Sequence, residues 1–265
     1  MLIFINHDDL RSQEFMEECM RRGYYVTDEV KDIKYADIIY LGNKGLDRKN
    51  RVMMNHETVL FQDCILKSLK KECWLLTLIH NDYLDELSQK YHFKYIALLD
   101  NDDFLEKNSI LTAEGLISFL ISHRRFPIYQ SRILVLGYGH CGQIIARYLK
   151  CLQGIVSVST RNHKYQEEII NNYDDYIPLE NIDLHQQDII INTIPQMIID
   201  KDKIDTLSRN IMIIDIASYP YGIDHHYALS QGLNSQILPS IPCKYGYGYA
   251  GKMICDYIER VIENA

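Results

Sequence analysis

The run Arg132-Ile133-Leu134-Val135-Leu136-Gly137-Tyr138-Gly139-His140-Cys141-Gly142-Gln143-Ile144-Ile145-Ala146-Arg147-Tyr148-Leu149 constrains the fold more than any other part of this chain. An apolar strand meets a G-x-G-x-x-G turn, and an amphipathic helix follows at once. In such a turn Gly137 permits the tight reversal, Gly139 lets a pyrophosphate approach the backbone, and Gly142 lets the helix lie close to the strand. The helix N-terminus adds unpaired N–H groups and a partial positive charge. A lone glycine motif also occurs as a plain tight turn in α/β proteins. Here a second strand over residues 155–160 completes the strand–helix–strand spacing of a Rossmann dinucleotide-binding domain. The candidate cofactor contacts in the turn are Gly137, Tyr138, Gly139, His140, Cys141 and Gly142.

The end of the second strand bears on which dinucleotide is bound. An NAD site carries an Asp or Glu about 20 residues after the glycines, bonded to the ribose 2′-hydroxyl. This chain reads Val156-Ser157-Val158-Ser159-Thr160-Arg161-Asn162-His163-Lys164, with no acid. Ser159, Thr160, Arg161 and Lys164 are instead the candidates to hold a 2′-phosphate, which a guanidinium pairs bidentately, and Asn162 beside them is a further candidate cofactor contact. The expectation is NADP ahead of NAD; the competing reading makes Arg161 and Lys164 solvated loop charges. Two further strand ends, Asn192-Thr193-Ile194-Pro195 and Asp215-Ile216-Ala217-Ser218, are expected at the same crevice, since open α/β sheets bind ligands outside the carboxyl ends of their strands. Asn192 and Asp215 also have a structural reading as loop-ordering side chains, and for Asp215 that is the preferred one.

The rest of the 265 residues repeats the alternation of short apolar runs and helix-length segments. Strands are expected at residues 2–6, 37–41, 74–79 and 95–99, with helices near 10–22, 56–69 and 83–91. The second series of strands covers 132–136, 155–160, 188–194, 211–216 and 236–238. Strands separated by helices imply parallel sheets. The predicted architecture is therefore α/β with two domains, each a parallel-sheet layer fold. The first covers 1–108 and an inter-domain helix covers 109–126. The Rossmann domain covers 127–248, and a last helix, 249–265, packs back on the first domain.

The charge balance, 28 basic against 36 acidic residues, gives a net −8. That sign offers no general attraction to nucleic acid or to an anionic membrane. No apolar run reaches membrane-spanning length, and the N-terminus lacks the basic region of a signal peptide. The seven cysteines form no C-x-x-C pair and read as reduced, buried thiols of a cytoplasmic protein. No metal site is expected.

From Thr112 onward the sequence resembles the dipicolinate synthase A-subunit family of spore-forming bacteria. The resemblance rests on Thr112-Ala113-Glu114-Gly115, the glycine turn, Ile191-Asn192-Thr193-Ile194-Pro195, and Asp215-Ile216-Ala217-Ser218-x-Pro220-x-Gly222-x-Asp224. Tyr227-Ala228, Gln231-Gly232, Leu238-Pro239-x-x-Pro242 and Ala250-Gly251 continue it. It implies an NADP-dependent oxidoreductase that oxidises a dihydro- or hydroxytetrahydro-dipicolinate to dipicolinate, working with a flavoprotein-like second subunit. The chain departs from the family pattern at His140 (usually Arg), at Tyr221-Gly222, at Ser240-Ile241-Pro242-Cys243 and at Tyr245-Gly246-Tyr247-Gly248-Tyr249.

For a dicarboxylate, the sequence offers Asn43 and Lys44 in a loop after a first-domain strand, and Lys244; Asn43, Lys44 and Gly45 equally read as a plain turn. Thr112 and Ser218 are candidate hydroxyl donors. Glu114 is the candidate base, or a partner of the helix dipole. His225 and His226, adjacent on a helix, point about 100° apart and are expected on the surface. A homo-oligomer is expected. Two other readings stay open: a two-domain dehydrogenase of another hydroxy or imino acid, and a nucleotide-binding regulatory or scaffold subunit with little catalysis.

Overall fold

The structure is a computed structural model that describes residues 1–54, 56–123, 127–182 and 184–262. The chain divides into two compact units, Met1–Asn108 with Pro242–Ala265, and Ser109–Ile241.

In the first unit the elements run β1 (Leu2–Ile5), α1 (Leu10–Arg21), β2 (Tyr25–Thr27), β3 (Ile38–Tyr40), β4 (Arg51–Met54), β5 (Glu57–Leu60), α2 (Asp63–Ser68), β6 (Trp74–Thr77), α3 (Asp82–Tyr91) and β7 (Lys94–Ala97). Five strands form a parallel sheet in the order β2-β1-β3-β6-β7. Phe4, Ile39 and Leu75 point to one face, where they pack with Leu66, Leu84 and Leu87 of the helices. Full burial of each such side chain contributes about 1.5–3 kcal/mol. The helix expected over 56–69 is corrected. Glu57-Thr58-Val59-Leu60 pairs antiparallel with Arg51–Met54, and only Asp63–Ser68 is helical. The β-branched Thr58 and Val59 favour the extended pairing. The edge strand β2 is a further element with no apolar run to announce it, three residues long and largely outside the core.

The helix α4 (Asp102–His123) carries the chain from one unit into the other. It begins at 102 rather than 109. Asn101 Oδ1 accepts from Phe104 N (3.1 Å), and Asp102 and Asp103 complement the dipole in the first turn. Residues 124–126 of the expected helix lie outside the described residues.

The second unit continues with β8 (Arg132–Leu136), α5 (His140–Cys151), β9 (Ile155–Thr160), α6 (Gln166–Asn172), β10 (Asp175–Pro178), β11 (Ile189–Asn192), α7 (Lys201–Ile204), β12 (Met212–Asp215), α8 (His225–Ser230) and β13 (Asn234–Ile237). All six strands are parallel, in the order β10-β9-β8-β11-β12-β13. Counted within the unit this is 3-2-1-4-5-6, the Rossmann order, whose reversal falls between β8 and β11. Alternate residues of the central strands feed two cores. Ile133, Val135, Ile189, Ile191 and Ile214 pack with α4 and α5, and Leu134, Leu136, Ile190 and Ile213 pack with Ile199, Ile204 and Ala228 on the other face. Burial on both sides is why these strands read as unbroken apolar runs.

The second unit ends at Ile241, not 248. Ile241, the first residue of α9 (Ile241–Tyr245), is buried in the second unit's core, and from Pro242 the chain belongs to the first unit. There α10 (Tyr249–Tyr257) lies on α1, and a wider helical turn follows through Ile262. A Cβ at Gly251 would come 2.3 Å from the Glu14 carbonyl, so only glycine allows this approach. The Glu14 carboxylate accepts from Gly251 N (3.3 Å) and caps the start of α10. Arg22 pairs with Asp256 (2.6 Å) and Glu259 (2.8 Å) further along. All seven cysteines are free, but not all are buried: Cys64 and Cys151 are exposed.

Candidate dinucleotide site

The glycine turn has three different reasons for its three glycines. Gly137 has φ +101°, and a Cβ there would lie 2.2 Å from Thr193 Oγ1. At Gly142 a Cβ would meet the Gly137 carbonyl oxygen at 2.2 Å. Gly139 is exposed, and nothing stands within 4 Å of where its side chain would be. The first and third glycines are thus required by packing, whereas the middle one leaves an open backbone surface. Gly137 N donates to Ser159 O (2.8 Å), and Gln143 Nε2 donates to Tyr138 O (3.1 Å), which fixes the turn from both sides. Gly139 is the N-cap of α5, and no side chain caps that end. The first amides of the helix therefore face outward beside an open glycine, an arrangement that suits a diphosphate.

Tyr138 takes no part through its side chain. Its ring is buried edge-on to Tyr165 and Tyr173 (5.3 and 6.0 Å), and its hydroxyl donates to Glu168 (2.8 Å). Burial pushes that hydroxyl well above the usual tyrosine range. His140 is exposed at the first turn of α5. The Cys141 thiol, raised by burial, lies 3.4 Å from Ser109 Oγ and against Thr112. Thr112 is itself buried, so this expected catalytic hydroxyl is engaged between α4 and α5. Glu114, two residues on and therefore about 200° around the helix, is exposed. The two candidates on α4 do not converge.

At the carboxyl ends of β11 and β12, Asn192 and Asp215 are register partners and both wholly buried. Asn192 Nδ2 donates to Asp215 Oδ1 and to Ile194 O (both 2.9 Å), while its Oδ1 accepts from Ile194 N (3.1 Å). Asp215 also accepts from Ala217 N (2.9 Å) and Gly222 N (2.8 Å). Asn192, expected as a cofactor contact, instead shapes the 193–195 loop. Gly222 is dictated by the same network, since a Cβ there would lie 2.4 Å from Asn192 Nδ2. His225 corrects the surface expectation: its Nδ1 lies 2.8 Å from Ser235 Oγ and its Nε2 3.4 Å from Asp215 Oδ2. Its neighbour His226 is exposed. Sequence reasoning missed this link, although an aspartate at a strand end ten residues before a histidine was its signal.

Thr193 bonds the Leu136 carbonyl through both N (2.9 Å) and Oγ1 (2.8 Å), tying its loop to the glycine turn. Ile194 and Ala217 are half-buried, and Pro195 and Ser218 are exposed. Beyond β9, Thr160 Oγ1 accepts from Asn162 N (3.2 Å), and Asn162 Oδ1 accepts from Lys164 N (3.2 Å). Both side chains are engaged in the turn, which leaves two exposed cations there, Arg161, held by Gln196, and Lys164, over the Tyr165 ring. The glycine turn, the 193–195 loop, Ala217 and Arg161 all belong to the carboxyl edge of one sheet. These residues fit a nicotinamide dinucleotide: an open glycine, uncapped helix amides and no acid after β9.

Asn43, Lys44 and Lys244 are exposed and belong to the first unit. Asn43 O accepts from Ile79 N (2.8 Å) and Lys44 O from Asn81 Nδ2 (2.5 Å), so the loop is a fastened turn with both side chains pointing into solvent. Among the described residues no helix is long and apolar enough to cross a membrane.

The fold and this turn define an NAD(P)-dependent oxidoreductase-type protein with two α/β units. A model of the shikimate / quinate 5-dehydrogenase family matches residues 121–235. The chain is 31% identical over 215 residues to the A subunit of dipicolinate synthase from Bacillus subtilis, covering 80% of this chain and 71% of that one. It belongs to the dipicolinate synthase A-subunit family. Solved structures of the dipicolinate synthase A subunits from Bacillus subtilis (24% identity, TM-score 0.82, 100% and 96% of the two chains) and Bacillus halodurans (25%, 0.80, 98% and 96%) share its fold throughout.

Proposed function

We propose that this protein is an NADP-dependent dehydrogenase that oxidises a dihydrodipicolinate to dipicolinate by loss of a hydride and a proton, or a hydroxytetrahydro-dipicolinate with loss of water as well. The observation that carries the cofactor half is the open Gly139 surface before uncapped α5 amides, with Arg161 and no acid after β9. The relatives' name supports the substrate. Their description as A subunits supports a second subunit, which we place as flavoprotein-like; homo-oligomerisation belongs to the same reading.

When bound, the nicotinamide supplies hydride-transfer chemistry. The chain's residues hold and orient it. The amides at the start of α5 receive the diphosphate, and Arg161 pairs with a 2′-phosphate. The Asn192–Asp215 network fixes the loops that carry Thr193, Ile194, Pro195 and Ala217 beside the turn. The proton released with the hydride passes to solvent, helped by the gain in aromatic stabilisation of the product ring.

Fluorescence titration with NADPH and NADH tests the cofactor. Incubation with NADP and dihydrodipicolinate, with and without the second subunit, tests the reaction. We expect NADPH to bind more tightly than NADH, and pyridine-2,6-dicarboxylate to accumulate as NADP is reduced. Failure to bind either nucleotide, or no product with both subunits present, overturns the reading.

A further inference from the structure

The first unit buries polar groups that the dinucleotide site does not use. In its sheet β1 lies between β2 and β3, so the chain order reverses between β1 and β3. The crevice outside the carboxyl ends of strands at such a reversal is where open α/β sheets take ligands. Asn6 directly follows β1, Gly42 follows β3, and α1 opens its first turn beside them. A Cβ at Gly42 would lie 3.9 Å from both Asn6 Nδ2 and Asp9 Oδ2, and 4.0 Å from Ser12 Oγ. Gly42 is itself buried, and its φ of +76° is what calls for glycine there.

Arg11, in that first turn, is only 7% exposed. Its Nη2 donates to Asn108 Oδ1 (2.9 Å), while its Nη1 is buried without a hydrogen-bond partner. Among the described residues no carboxylate forms an ion pair with it. Of the two nearby acids, Glu14 interacts with it electrostatically without a direct bond and keeps its Oε1 buried without a partner, and the bonds both acids accept come from elsewhere. Asp9 Oδ1 accepts from Ser12 N and Oγ (both 2.8 Å), and Glu14 caps α10. Asn6, 5% exposed, is oriented by Nδ2 donating to Met53 O (2.7 Å), and its Oδ1 is also buried without a partner. A buried guanidinium nitrogen without a hydrogen-bond partner is costly, and an anion from outside removes that cost.

We propose that this crevice is a carboxylate-binding site in which Arg11 holds a carboxylate of a small ring dicarboxylate and Asn6 Oδ1 accepts from an N–H or O–H beside it. The inference deepens the proposed function, naming residues for its substrate, and rests on that reading for the choice of probe.

Calorimetric titration of the full chain without nucleotide, using pyridine-2,6-dicarboxylate and the uncharged pyridine-2,6-dicarboxamide, tests it. The diacid is expected to bind and the diamide not. Arg11→Gln and the apolar, similarly long Arg11→Met should each weaken the diacid by roughly 10–100-fold, as loss of a charge-assisted bond does, with NADPH affinity unchanged. Wild-type crystals soaked in the diacid supply a measurement that needs no variant to fold: a carboxylate against Arg11 supports the site. Equal binding of diacid and diamide, unaltered affinity in a folded Arg11 variant, or a soaked diacid away from Arg11 overturns it. If NADPH binds while the wild type takes no diacid, this inference falls and the cofactor reading stands. Arg11-dependent diacid binding without nucleotide binding gives the reverse.

Discussion

Asn192 Nδ2 and Asp215 Oδ1 lie 2.9 Å apart at the paired ends of β11 and β12, and neither residue has any exposed surface. A carboxylate can be buried there because side-chain and backbone donors converge on it. The bond therefore links strand register to the shape of two loops. Asn192→Ala removes one charge-assisted donor and leaves a void, so a loss of about 2–3 kcal/mol is expected. Thermal or urea unfolding checks it, and NADPH affinity should fall as the 193–195 loop loosens.

The glycine turn separates packing from binding. Gly139→Ala should leave the melting temperature nearly unchanged, because nothing stands within 4 Å of the new methyl. NADPH affinity should fall at least tenfold if the diphosphate lies on that surface. Gly137→Ala faces φ +101° and a 2.2 Å clash with Thr193 Oγ1, so it should destabilise by more than about 1 kcal/mol. Melting curves and nucleotide titrations of both variants check the contrast.

Arg161→Ala should weaken NADPH by roughly 10–100-fold and leave NADH nearly unaffected, since only the 2′-phosphate engages the guanidinium. Paired fluorescence titrations measure the ratio. Equal losses for both nucleotides would move Arg161 away from the 2′ position.

Gly251→Ala should detach α10 from α1. The new methyl would stand 2.3 Å from the Glu14 backbone, which cannot swing aside as a side-chain end can. Overpacking of this kind costs about 1–3 kcal/mol. Faster amide exchange over residues 249–257, with the exchange of β8 and β11 unchanged, is the expected result.

Bonds from Arg21, opposed in part by burial and reinforced by bonds from Arg22, hold Glu18 down at about 2, against an ordinary value of 4.5. Because the folded value is depressed, the stabilisation is fully present above 4.5 and disappears as pH falls toward 2. The difference in melting temperature between wild type and Glu18→Gln should therefore be constant near neutrality and shrink below pH 4.5.

The sequence alone determined the strand–turn–helix around Gly137, Gly139 and Gly142 and the parallel α/β character of both units. These depend on local apolar runs and on backbone freedom at glycine, which neighbouring residues decide. Residues 57–60 read as helix because their pairing with 51–54 is a contact between segments, and β2 and β10 are edge strands with little apolar surface to mark them. Only the tertiary structure placed Thr112 under Cys141, turned Tyr138 into the core, joined His225 to Asp215 and left Arg11 Nη1 buried without a hydrogen-bond partner. Each of these depends on which strand lies beside which. That choice is made by packing and by hydrogen-bond satisfaction across the whole sheet, and no local pattern of residues contains it.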